Sequence, residues 1–232
     1  MTIHAVLDQL ETYEQAKEAV QQVGILPLSD SIPDHPSISA LTAIAKWHTG
    51  LADDPWQWRV RFATEGSAAY GKFYGGKSFL VAPDLFAALK AWLEPELDIA
   101  ERYAAGVIPR DVSTLYQLIE EEGPIDAREL RKRAGMKAKE RKAGYDRALL
   151  ALSESLEIVI AGAQQKRGAD GEVNGWSSMI YTTAERWMDQ KDISPWSQSR
   201  KTAGLYCLER LGVSLRPKAL AYVSKRFKLP SP

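Results

Sequence analysis

From Leu115 onward, apolar positions recur every three or four residues and are interrupted by residues that end helices. Leu115, Leu118 and Ile119 share the inner face of a helix predicted over Leu115–Glu122, with Ser113 as its N-cap and Gly123-Pro124 as its stop. Asp126 followed by Glu129 has capping-box form and opens a second helix, whose inner stripe is Ala127, Leu130 and Ala134 and whose end is Gly135. A third helix is predicted from about Lys139 to Ser153, on the seam Tyr145, Leu149, Leu152 and Leu156. Two β-rich runs follow, Leu156–Ala163 and Trp176–Thr183, joined by the polar loop Gln164–Gly175. Three helices and a hairpin in this order predict a winged helix, with that loop as the wing.

The preceding half repeats the alternation less clearly. A helix over Thr12–Val23 places Ala16, Ala19, Val20 and Val23 on one face, and Gly24 ends it. Pro27, Pro33 and Pro36 impose an extended connection. Ser37 or Ser39 caps a helix through about Trp47, and Asp53-Asp54-Pro55 forms a turn that feeds Trp56 and Trp58 into the core. After Trp56–Phe62 comes Ala69–Val81, where aromatic residues with Gly71, Gly75 and Gly76 suggest strands joined by a turn. Asp84 caps a long helix to about Ala105, with Leu85, Leu89, Trp92 and Leu93 inward; Gly106–Arg110 is a short connection. Two last helices, about Ser197–Leu211 and Pro217–Phe227, are broken at Gly212–Leu215. The fold class expected is α+β with tandem winged-helix domains. It divides into an N-terminal α+β domain in residues 1–108, for which a degenerate winged helix is one reading, a winged-helix domain in 109–190 and a C-terminal basic helical segment in 191–232.

Charge changes the picture. The chain of 232 residues has 30 basic and 30 acidic side chains, yet residues 1–109 have a balance of −6 and residues 110–232 a balance of +6. Arg128–Arg147 alone holds nine basic residues against Glu129, Glu140 and Asp146. Phosphate binding responds to the local field, because exposed charges beyond about 8–10 Å are screened at physiological salt. The last two helices bring Arg200, Lys201, Arg210, Arg216, Lys218, Lys225, Arg226 and Lys228 against Glu209 alone, which either extends a basic surface or solvates a terminal helix pair.

Signatures of known chemistry are missing: no G-x-S-x-G, no H-E-x-x-H, and no glycine-rich nucleotide loop. Tyr74-Gly75-Gly76-Lys77-Ser78 lacks the phosphate-loop spacing and reads as a turn between strands. One cysteine, Cys207, and three histidines make up no zinc ligand set, so neither metal nor cofactor is expected. Cys207 sits among apolar residues and is expected in the core. With neither a signal-peptide pattern nor an apolar run of about 18–20 residues, the expectation is a cytoplasmic protein that does not enter membranes.

The segment Val23-Gly24-Ile25-Leu26-Pro27-Leu28-Ser29-Asp30-Ser31-Ile32 resembles the part of AlkZ-type DNA glycosylases that leads into their catalytic Q-Φ-Q or Q-Φ-D motif. Asp53-Asp54-Pro55-Trp56-Gln57-Trp58-Arg59 and Tyr70-Gly71-Lys72-Phe73-Tyr74, with Lys77 and Phe79, resemble more closely a set of shorter bacterial AlkZ-related proteins. The likeness covers about residues 12–190. It implies tandem winged helices and a connection to enzymes that excise alkylated or crosslinked purines. At the motif positions, however, stand Pro27, which offers no side-chain hydrogen bond, and Ser29, a poor substitute for a carboxylate beside a developing oxocarbenium ion. Asp30 lies one residue further and, in an extended segment, faces the opposite side; it is the one weak catalytic candidate.

The function expected is therefore a non-catalytic protein that binds nucleic acid, taken as double-stranded DNA, with the third helix near a major groove. Lys139 and Lys142 would meet phosphates or base edges, Lys137 and Arg141 would add backbone contacts, and Lys166 and Arg167 would act from the wing. Tyr145 should pack inward, and Asp146 should pair with a base of the protein itself. Two alternatives stand beside this reading: a glycosylase with a relocated catalytic group, and a protein-interaction module that uses its winged helix for docking.

Overall fold

The structure, a computed structural model, describes residues 9–165 and 177–230, and no helix in it is long and apolar enough to cross a membrane. The chain is α+β, with two small antiparallel sheets among helices. Helix α1 (Tyr13–Val23) begins with a reciprocal box: Thr12 accepts from the Gln15 amide, and the Gln15 side chain accepts from the Thr12 amide. Its buried face is the one expected, with Tyr13 added. Strand β1 (Ile25–Pro27) follows at once. The helix expected from Ser37 to Trp47 is shorter, because α2 (Ile38–Leu41) ends at Thr42, whose backbone is extended and whose hydroxyl bonds back to the Ile38 carbonyl. A single 3-10 turn, Ile44–Lys46, stands in for the rest.

Asp53-Asp54-Pro55 is the start of a helix, not merely a turn. Asp54 caps α3 (Pro55–Glu65) by accepting from the Trp56 amide at 2.8 Å, and Pro55 occupies the first helical position, where its missing N–H costs nothing. Trp58 enters the core, while Trp56 is only half-buried, a correction to the expectation that both enter. Strands β2 (Ala69–Tyr74) and β3 (Lys77–Val81) form the expected hairpin. Gly75 and Gly76 have φ of 56° and 69°, the left-handed pair that a two-residue hairpin turn requires. Strand order is β1-β3-β2, with Pro27 opposite Phe79.

The single helix expected from Asp84 to Ala105 is two helices. Helix α4 (Pro83–Leu93) stops before Pro95, since proline disfavours helix in the residue ahead of it, and α5 (Ile99–Ala104) starts afresh on a capping box between Asp98 and Glu101. Asp84 does not cap; its carboxylate accepts from the Tyr206 hydroxyl at 2.7 Å and from Arg210 Nε at 3.2 Å. Arg102 of α5 bonds Glu157, a carboxylic acid 7% exposed whose pKa burial raises above the usual range.

Helix α6 spans Arg110–Glu122 rather than starting at Leu115. Pro109 provides the extended entry, Asp111 lies favourably in the first turn, and Ser113 is buried inside the helix, not at its cap. A two-residue strand, β4 (Ile125–Asp126), precedes α7 (Ala127–Arg133). Asp126 caps α7 by accepting from the Arg128 and Glu129 amides, but Glu129 turns to Lys132 and Arg133, so only half of the expected capping box forms. A 3-10 turn, Lys139–Arg141, leads into α8 (Lys142–Glu154). Leu156, with φ of 56°, ends the seam before β5 (Ile158–Gln164) and β6 (Ser178–Thr183) pair antiparallel. The sheet order is β4-β6-β5. Most of the loop expected as the wing, with Lys166 and Arg167, lies outside the described residues.

Helix α9 (Ala184–Gln190) carries Trp187 into the core. Its indole is fully buried, donates to the Ala63 carbonyl at 2.8 Å and meets Phe86 edge-on at 5.6 Å. Helices α10 (Arg200–Ser214) and α11 (Pro217–Arg226) close the molecule. Ser199 caps α10, Gly212 remains helical, and the break falls at Leu215-Arg216, ahead of Pro217. Cys207 is buried as expected, and burial pushes its thiol up to about 12. One continuous cluster joins Phe73, Phe86, Val159, Trp187, Cys207 and Leu211, so strands and helices from both halves share a core. Trp187→Ala is expected to cost about 3–5 kcal/mol, from the lost volume and the orphaned Ala63 carbonyl, read as a lower denaturant midpoint with an unchanged slope. A loss below about 1 kcal/mol would show that α9 is not a principal support.

Candidate nucleic-acid interface

The approach to α8 is built to present cations. Gly135 takes φ of 67°, which reverses the chain after α7, and Met136 plugs the interior at 1% exposure. Arg131 then fixes the reversal from behind: Nε donates to the Met136 carbonyl at 2.8 Å and Nη2 to the Ala138 carbonyl at 3.0 Å. On the other side Tyr145 is buried and its hydroxyl donates to the Ala127 carbonyl at 2.8 Å, as its place on the inner seam required. With the chain held at both ends, Lys137, Lys139, Arg141 and Lys142 are all exposed within six positions.

These cations differ in what surrounds them. Arg141 Nη2 lies 2.9 Å from Asp111 of α6, and Lys142 Nζ lies 2.5 Å from Asp146, the protein's own base that Asp146 was expected to find. Lys132 pairs with Glu129, and Arg133 with Glu122 and Glu129. Lys137, Lys139 and Arg147 are exposed and take part in no ion pair among the described residues. Two of the partner carboxylates, Asp111 and Glu122, come from α6 and lie outside the stretch whose charge defined the patch, so the field there is weaker than the local sequence count. Beside this turn runs a groove of about 700 Å³ lined by Asp126, Arg128, Glu129, Lys132, Lys137 and Gln164.

One residue escaped the sequence reading. Arg59 of α3 is 2% exposed, and its guanidinium lies 3.7 Å from the centre of the Trp56 ring. Nη1 reaches only the Tyr70 hydroxyl at 3.5 Å and the Met179 sulfur at 3.4 Å; Nε has no partner, and no carboxylate pairs with the group among the described residues. A buried cation without an anion is normally expensive, and the indole face offsets part of that cost, by about 2 kcal/mol in a desolvated setting. The signal was available in Trp56-Gln57-Trp58-Arg59: in a helix, Trp56 and Arg59 three apart share a face. Of the other aromatic residues in this part of the sequence, Trp58, Tyr70, Phe73 and Phe79 are core, while Tyr74 is half-buried at the hairpin end.

The residues at the glycosylase motif positions lie elsewhere. Pro27 is buried in β1, and Ser29 is exposed just beyond it. Asp30 is exposed and accepts from the Ser37 hydroxyl at 2.6 Å, so it braces the turn that starts α2. Nearby His35 donates from Nε2 to the Ile25 carbonyl at 2.8 Å, and burial lowers its pKa below the ordinary value. A cavity of about 530 Å³ between α5 and α6 is lined by Glu94, Glu101, Glu120, Glu157, Glu185 and Tyr116, with Arg102 the one cation; its lining repels phosphate.

Because Arg141 and Asp111 are both substantially exposed, their pair contributes about 1 kcal/mol or less to stability. Asp111→Asn is therefore expected to leave the thermal midpoint within a few degrees while releasing Arg141, so that the protein elutes from immobilised heparin at higher salt. Elution unchanged or earlier would show that Arg141 does not meet the polyanion.

Neither a curated protein nor a solved structure matches the chain. The family model described as AlkZ related matches residues 10–228. That span takes in α1, both sheets and the helices through α11, as well as the D-P-W-Q-W-R run and the basic turn. The chain belongs to the AlkZ-related family, kin of the AlkZ-type DNA glycosylases.

Proposed function

We propose that this protein binds duplex DNA through a winged helix spanning α6 to β6 and does not excise bases. The order helix, short strand, helix, helix, strand, strand, with the short strand on the outer side of β6, supports the winged-helix reading. The observation that carries the binding is the row Lys137, Lys139, Arg141 and Lys142, fully on the surface at the entrance to α8. The ion pairs of Arg141 and Lys142 are solvent-exposed, worth about 0–1 kcal/mol each, and a phosphate oxygen replaces a carboxylate oxygen at little cost. The entrance to α8 approaches the major groove with Lys139 and Lys142 toward phosphates and base edges. Lys137 and Arg141 hold the backbone, and Lys166 and Arg167 add their charge from the stretch of sequence between β5 and β6.

Loss of excision rests on the motif positions. Pro27 has no polar side-chain atom, Ser29 has no charge to set against a developing oxocarbenium ion, and Asp30 is engaged by Ser37. Family kinship then keeps the DNA and drops the chemistry.

Two measurements check this. In the double variant Lys139→Glu/Lys142→Glu, duplex affinity is expected to fall about tenfold or more. The slope of log affinity against log salt should become shallower by about two. Affinity and slope unchanged would remove this turn as the contact. Incubation with alkylated duplex DNA is expected to yield no alkali-labile abasic sites; sites that form with the wild-type chain and vanish in Asp30→Asn would overturn the non-catalytic reading.

A further inference from the structure

The end of the β2–β3 hairpin and α11 bring together a second set of cations with aromatic rings between them. Arg226 holds its guanidinium 4.2 Å from the centre of the Tyr74 ring and 4.8 Å from that of Tyr222, and the two rings meet edge-to-face at 6.5 Å. Lys77 is the cross-strand partner of Tyr74, so it projects from the same side of the hairpin. Lys77, Lys225, Arg226 and Lys228 are exposed, both tyrosines are half-buried, and none of the four cations has an ion pair among the described residues. Nothing after Glu209 is acidic. The carboxylate of Glu154, which reaches the hairpin, is engaged with the Gly75 amide at 2.6 Å.

One cation in the last turn is enough to complement a helix dipole, and α11 has two there with Lys228 beyond. The arrangement of Arg226 also goes further than capping. Its guanidinium lies 4.2 and 4.8 Å from the two ring centres while the residue stays exposed, so the rings hold it in place with part of its surface toward solvent. Such a pre-organised plane stacks on a nucleobase and donates two parallel hydrogen bonds to a phosphate. A base inside a duplex hides its faces, so rings and a stacked arginine among lysines fit an unpaired strand.

We propose that the surface formed by Tyr74, Lys77, Tyr222, Lys225, Arg226 and Lys228 holds a single-stranded stretch of nucleic acid, separate from the duplex contact at the entrance of α8. This rests on the reading of the protein as a nucleic-acid binder. The hairpin turn hydrogen-bonds α8 at its last residue, Glu154, whereas the proposed duplex contact lies at its first turn. Thirteen helical residues span roughly 20 Å, well beyond the screening length of about 8 Å, so the two surfaces act as separate electrostatic centres. Both are met by one nucleic acid only if it carries a duplex next to an unpaired segment.

Fluorescence anisotropy with a blunt duplex, the same duplex bearing a single-stranded overhang, and the free single strand tests this. The wild-type chain is expected to bind the overhang duplex about tenfold more tightly than the blunt one. Lys225→Glu/Arg226→Glu should abolish that advantage while blunt-duplex affinity stays within about twofold, and Arg226→Lys, which keeps the charge and loses the plane, should reduce the advantage severalfold. Lys139→Glu/Lys142→Glu should weaken blunt and overhang duplexes alike and leave the advantage intact. No preference for the overhang, or equal loss on blunt and overhang duplexes in Lys225→Glu/Arg226→Glu, would overturn the proposal. Persistence of the overhang preference while Lys139→Glu/Lys142→Glu leaves duplex binding untouched would refute the α8 contact and sustain this one.

Discussion

The placement of the basic turn depends on two adjacent side chains of α9. Neighbours on a helix point about 100° apart, so Arg186 and Trp187 can engage different parts of the molecule. Trp187 goes into the shared core, where its ring packs on Phe86 and its N–H reaches the last turns of α3. Arg186 turns to the end of α6: Nη1 donates to the Gly123 carbonyl at 2.6 Å and to the Ile119 carbonyl at 3.2 Å, and Nη2 donates to the Glu120 carbonyl. The Glu120 and Gly123 carbonyls lie at a helix end, where carbonyls lack intrahelical partners, and the Ile119 carbonyl shares its oxygen with the Gly123 amide. One short helix thus ties the first helix of the candidate DNA-binding unit to the sheet and core of the preceding half. The turn between α7 and α8 inherits that support through α6.

The electrostatics of the site follow from the same packing. A window of sequence counts only the acids inside it, and by that count Arg128–Arg147 is strongly basic. Folding sets α6 alongside and contributes Asp111 and Glu122, while Arg131 is spent on backbone carbonyls. What remains is a moderated surface in which some cations stand alone and others are held by exchangeable partners. The proposed DNA contact would draw on this surface in a salt-dependent way, without an unbalanced charge cluster in the free protein.

Arg59 poses the opposite physical problem. The surface cations keep water, whereas Arg59 has given up nearly all of it and received an indole face, a distant hydroxyl and a thioether in return. Its stem and ring contacts pack α3 against β2 and β6, which sets the N-terminal half against the hairpin of the candidate DNA-binding unit. It also belongs to the D-P-W-Q-W-R run that carries much of the resemblance to AlkZ-related proteins. A cap at Asp54, a helix-starting proline at Pro55, a core tryptophan at Trp58 and this buried cation share one short motif, each with its own structural task.

Much of this was legible in the residues. Periodic apolar positions marked α1, α7, α8, α10 and α11, because burial of one helical face needs only local spacing. Gly75-Gly76 marked the hairpin turn, because left-handed backbone suits glycine. The family was legible in short runs of residues. Less visible were the break of the α4–α5 stretch at Pro95, the helical state of Trp56–Phe62, and the two-residue strand β4, whose existence depends on a partner more than fifty positions away. The chain alone determined which segments are amphipathic, where turns fall and how many cations each stretch carries, since these depend on covalent neighbours. Only the tertiary structure decided which of those cations meet Asp111, Glu122 or nothing, and that Tyr74 and Arg226 would stack. Contacts between residues so far apart in sequence are selected by the packing of the whole core, not by the local pattern around either one.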